Sequence, residues 1–113
     1  MMRRAGGDRG SVAAELALAL PAVLLALLLG AGALGAASRQ VALQDATADA
    51  ARLLGRGEDA GAAAVAVARA VPGAGMASRI AGDIVCVTAQ SEVAIAAVRL
   101  PLRASSCALT GGL

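Results

Sequence analysis

Residues 15–38 read ELALALPAVLLALLLGAGALGAAS, and this stretch decides the architecture. Glu15 is its single charge; the 23 residues from Leu16 to Ser38 carry none. As a helix they reach about 34 Å at roughly 1.5 Å per residue, against a hydrocarbon core of about 30 Å. The alternative is the buried helix of a soluble domain, but a chain of 113 residues without Phe, Trp or Tyr cannot wrap an apolar helix on every side. The stretch is therefore expected to span a membrane.

Working outward toward the N-terminus, Arg3, Arg4 and Arg9 precede the span with Asp8 as the one acid beside them. Three further arginines, Arg39, Arg52 and Arg56, follow within eighteen residues of its end, so the count alone does not orient it. The N-terminal three are denser and nearer the bilayer, as in the cytoplasmic start of an export or anchor signal, which favours an N-in topology. Glu15 is costly at the head of an apolar helix unless it snorkels or finds a positive partner. A cut between Gly10 and Ser11 would supply one: the new α-ammonium group would stand on the first turn, four residues before Glu15. Pro21 removes the donor that would bond the carbonyl of Ala17, so a helix kink is expected there. Ala22, Ala26 and Gly30, and again Ala31 and Gly35, recur at spacing four and offer weak support for close helix packing.

Composition removes most chemistry. The chain has no His, no Lys and two Cys, which excludes imidazole acid/base catalysis, lysine Schiff bases and Cys/His zinc sites. The serines have no histidine or lysine to activate them, and the glycine pairs Gly6-Gly7 and Gly111-Gly112 lack the context of a phosphate loop. No enzyme, cofactor, metal site or small-molecule substrate is expected. From Ser11 onward seven acids balance seven arginines, and without a basic stripe or a stacking aromatic no nucleic-acid partner is predicted.

Beyond the span, Asp45, Asp49, Arg52 and Arg56 fall on one helical face, with Leu43, Ala46, Ala50 and Leu53 on another. The anchor helix is thus expected to run on as an amphipathic stalk. Gly55 and Gly57 mark its end, Glu58 to Val71 reads as a second, Ala-rich helix, and Pro72-Gly73 stops it. A linker over 72–82 leads to a β tail over 83–113, with strands expected at Ile84–Thr88, Glu92–Ala96 and Val98–Arg103. Pro101 restricts the last of these to an edge or a bulge.

Cys86 lies in the first of these strands and Cys107 near the end of the last. With no other thiol to compete, a disulfide is the natural proposal for an exported tail with little core. It would close a loop of about twenty residues for about 3 kcal/mol. Two unpaired small side chains, or one thiol kept for an intermolecular bond, are the alternatives.

The run Arg9-Gly10-Ser11-Val12-Ala13-Ala14-Glu15-Leu16-Ala17-Leu18-Ala19-Leu20-Pro21 resembles the N-terminus of TadE-like minor pilins, or pseudopilins, of the tight-adherence (Flp-type) type IV pilus systems. It joins a basic leader ending in Gly, Glu at the fifth position after it, and Pro six residues beyond the Glu. Leu16 stands where many relatives have an aromatic residue. Arg39-Gln40-Val41-Ala42-Leu43-Gln44-Asp45 and Ala50-Ala51-Arg52-Leu53-Leu54 are similar to the family's post-membrane helix. The resemblance covers about the first half of the chain; small TadE-like proteins with a paired-cysteine tail are similar to the rest.

The resemblance implies a prepilin cut after Gly10 by a prepilin-type peptidase, with Ser11 as the new N-terminus and Glu15 setting subunit register. It also implies other pilins and pilus assembly platform proteins as partners. The expected build is α+β: leader 1–10, transmembrane helix 11–38, helical stalk and second helix 39–71, linker 72–82, and a small antiparallel β-hairpin or three-stranded sheet over 83–113. It would sit in the cytoplasmic membrane as a single-pass protein with the C-terminal part outside, or at the cell surface or pilus. The rival reading is a secreted, disulfide-bonded binding module released by signal peptidase, with the mature chain beginning near Ser38.

Overall fold

Two helices precede a three-stranded antiparallel sheet in order β1-β2-β3: α1 Met2–Gly55, α2 Ala60–Ala70, β1 Gly75–Ala81, β2 Ile84–Ile95 and β3 Val98–Leu109. The structure, a computed structural model, describes residues 2–111, with side chains from Gly10 onward. It is the expected α+β build. The molecule extends 84 × 21 × 18 Å, and its long axis is α1, whose 54 residues reach about 81 Å at 1.5 Å each.

The C-terminal third of α1 is the spine of the head. Leu43, Ala46, Thr47, Ala50 and Ala51 are buried and Leu54 packs beside them, a stripe at helical spacing. It rests on Val87, Ala89 and Ala104 of the sheet and on Ala63, Val67 and Val71 of the α2 region. So many alanines allow helix and sheet to approach closely and compensate for the missing aromatics. Leu53, assigned to this stripe from the sequence, is only half-buried, and Ala51 and Thr47 hold the inner positions. Thr47 is tolerated there because its hydroxyl donates to the carbonyl of Leu43 in the preceding turn. On the polar face Arg52 pairs with Asp49 at 3.0 Å, exposed and worth little.

α1 ends in a Schellman motif. Gly57 takes φ 90°, its N–H donates to Leu54 O and the N–H of Glu58 donates to Leu53 O. Asp59 then caps α2, accepting from the N–H of Ala62 at 2.7 Å. The second helix therefore begins two residues later than the acidic pair suggested.

The linker expected over 72–82 contains β1. Its residues are nearly all exposed and show no alternation, so the strand is made by backbone pairing with β2, from Gly75 opposite Gln90 to Ala81 opposite Ile84. Gly82, at φ 64°, opens the two-residue turn that its lack of Cβ permits. The two strands expected at 84–88 and 92–96 are one strand, because Ala89 and Ser91 continue the inner face between them. β3 runs on from Arg103 to Leu109 along β2. It is an edge strand, as Pro101 requires. Its free side is covered: Gln40 and Gln44 of α1 donate to the carbonyls of Arg103 and Ser105 at 2.8 and 3.1 Å.

Candidate functional site

The features with functional content lie along α1 and where the head meets it. From Gly10 to Gly30 every residue is exposed, including Leu16, Leu18, Leu20, Val23, Leu24, Leu25, Leu27, Leu28 and Leu29. A helix apolar on all sides and covered by no protein needs another apolar phase around it. Its length and composition suffice to cross a membrane. Pro21 lies inside α1, which continues as one helix on both sides of it, and is exposed.

Gly10, Ser11 and Glu15 are exposed on this helix, and the Gly10–Ser11 bond lies inside it. Among the described residues Glu15 has no ion-pair partner; the pairs present are Arg52 with Asp49 and Arg99 with Glu92. The rest of the expected leader, residues 1–9, falls on side chains outside the described residues, as does the Gly112 half of the C-terminal glycine pair. Among the small residues singled out at spacing four, a Cβ on Gly30 or Gly35 would meet nothing within 4 Å, so those faces are open.

Sequence reasoning missed the glycine of the apolar helix that the head covers. A Cβ on Gly32 would stand 2.8 Å from Cγ2 of Ile95, so the tip of the β2–β3 hairpin is seated on the apolar helix itself. Nothing local to Gly32 separates it from Gly30 or Gly35; the contact exists because β2 runs back along α1. One helical stretch above, the guanidinium of Arg39 fastens the hairpin. It donates to Ser91 Oγ from Nε at 3.3 Å and from Nη2 at 3.0 Å, and to the carbonyl of Pro72 at 2.9 Å.

Cys86 and Cys107 form a disulfide between directly opposed residues of β2 and β3, on the sheet face turned away from the helices. The open alternatives of unpaired or intermolecular thiols are thereby set aside for this structure. Among the described residues no group of three or more Cys, Asp or Glu side chains is placed to hold a metal ion.

An uncovered apolar helix whose far end forms the core of a small head is the build of a single-pass, membrane-anchored protein. Residues 10–52, the apolar helix and the stalk, match the family described as TadE-like protein. The match opens on Gly10 and closes on Arg52, spanning the apolar helix and its buried stripe while leaving α2 and the sheet outside. No curated protein and no solved structure matches the chain significantly. A TadE-like segment on a long apolar helix fits a pilus-associated, membrane-anchored protein.

Proposed function

We propose that the chain is a minor pilin, or pseudopilin: a structural subunit of a type IV, Flp-type pilus or secretion apparatus, with the N-terminus cytoplasmic and the head outside. Its role is lateral packing through the anchor helix and contact of the head with other pilins or platform proteins, with no catalytic step of its own. The observation that carries this reading is Glu15 at the head of a bare apolar helix, five positions after Gly10, within a TadE-like match that begins at that glycine. A prepilin-type peptidase acting there leaves the Ser11 ammonium at helical spacing from Glu15, available to its own or a neighbouring subunit's carboxylate.

The seating of Ile95 on Gly32 speaks for retention of the whole helix, since release near Ser38 would strip away the surface that the hairpin tip covers. Intact mass and N-terminal sequencing of the membrane-extracted protein test the proposal. A membrane-bound chain starting at Ser11 is the expected result. An uncut membrane-bound chain would replace it with an anchored accessory, and a soluble chain starting near Ser38 with a secreted module. Glu15→Ala should leave insertion intact, because removing a charge eases it, while reducing incorporation into the assembly.

A further inference from the structure

The β2–β3 hairpin is longer than the head needs. Its last buried residue, Ser91, is held by Arg39, yet the strands continue to a turn at Ala96-Ala97. This extension, Val93-Ala94-Ile95-Ala96-Ala97-Val98, carries no charge and no polar side chain. Ala94, Ala96, Ala97 and Val98 are exposed, Val98 by 58%, and Leu100 beside it by 39%. Charges resume immediately outside it on both strands, where Arg99 and Glu92 pair at 3.1 Å. An exposed apolar tip with a charged collar is unexpected on a head facing water.

The height of the tip along α1 explains it. Gly32, on which Ile95 sits, lies about 26 Å along the helix from Glu15 at about 1.5 Å per residue. A hydrocarbon core of about 30 Å that begins at Glu15 ends near Gly35. The tip therefore lies at the outer edge of the hydrocarbon, while Arg39 and the Glu92–Arg99 pair lie at headgroup height. We propose that the β2–β3 turn is a second membrane contact, dipping into the outer leaflet beside the anchor with lipid as its occupant. This rests on the reading of α1 as a membrane span. Depth is limited to the interface, because the turn peptides at Ala96-Ala97 have no strand partner to satisfy their N–H and C=O groups in hydrocarbon. Two points of attachment would fix the tilt and rotation of the head above the bilayer, which one helix alone leaves free.

The absence of tryptophan from the chain makes a direct test possible. The full chain is reconstituted into phosphatidylcholine vesicles with one tryptophan introduced at a time: Ala97→Trp at the tip, Leu25→Trp in mid-span, and Asp83→Trp in the opposite turn. Emission is read with lipids brominated near the headgroup end or near the methyl end of the acyl chain. The Ala97→Trp emission should be blue-shifted and fall about twofold with the shallow bromines, and less with the deep ones. Leu25→Trp should be quenched by the deep bromines, and Asp83→Trp by neither. If Leu25→Trp is quenched while Ala97→Trp behaves like Asp83→Trp, the tip stands in water and the proposal fails with the anchor reading intact. Stronger quenching of Ala97→Trp by deep than by shallow bromines overturns the interfacial position. An unquenched Leu25→Trp removes the membrane span, and this inference with it. Circular dichroism matching that of the unsubstituted chain verifies that each variant has folded.

Discussion

The carbonyl oxygen of Leu109 presses on the α-carbon of Gly55: a Cβ at position 55 would stand 2.6 Å from it. The N–H of Gly111 donates to the carbonyl of Gly55 at 3.0 Å, so the end of the last strand is locked onto the end of the first helix. Gly55 does more than end a helix; its missing side chain lets the two backbones touch. Gly55→Ala is expected to destabilise the head by about 1–3 kcal/mol, as overpacking against a backbone that cannot move aside. Gly30→Ala, where nothing lies within 4 Å, should cost nothing. Thermal unfolding of the detergent-solubilised chain, followed by circular dichroism, compares the two.

The disulfide joins opposed strands of a sheet with few large buried side chains. Reduction should therefore lower stability by about 3 kcal/mol for a loop of this length. Cys107 is exposed and reachable by reductant. Unfolding midpoints in urea with and without dithiothreitol check this. The double variant Cys86→Ala, Cys107→Ala should start at the reduced midpoint and show no further response.

Ala96 has φ 55°, the one described non-glycine residue with positive φ, at the first position of the β2–β3 turn. That conformation costs an L-residue roughly 1–2 kcal/mol. Ala96→Gly should stabilise the hairpin by up to about 1 kcal/mol after its own entropic cost, and Ala96→Val should destabilise it by at least as much. Urea midpoints that move in opposite directions for the two substitutions are the expected result.

Arg39 reaches Ser91 and Pro72 at once from Nη2, and its Nε adds a second donor to Ser91. Arg39→Met should cost about 1–3 kcal/mol, because it leaves the buried Ser91 hydroxyl and a backbone carbonyl without their donor. Adding Ser91→Ala to Arg39→Met should cost little more. A double-mutant cycle with sizeable coupling between positions 39 and 91 confirms the link.

Patterns with a local cause were legible from residues alone. The uncharged run Leu16–Ser38 is long and apolar enough to span a bilayer whatever its neighbours. The stalk stripe, the stop at Gly57 and the edge position imposed by Pro101 follow from helix period, φ freedom and a missing N–H. β1 was not legible, because Gly75–Ala81 buries almost nothing and takes its structure from hydrogen bonds to β2. Nor was the unity of β2, where Gln90 and Ser91 interrupt the apolar pattern and only the Arg39 guanidinium makes Ser91 acceptable inside.

The one-dimensional order of residues determined that this protein has an apolar helix with a lone carboxylate at its head, a stalk, and two thiols in a β-rich tail, since each is a property of composition and spacing. Only the tertiary structure decided which glycines matter and how far down the head reaches. Gly32 and Gly55 resemble the chain's other glycines until β2 and β3 fold back along α1, and close approach between segments distant in sequence leaves no mark on either segment alone.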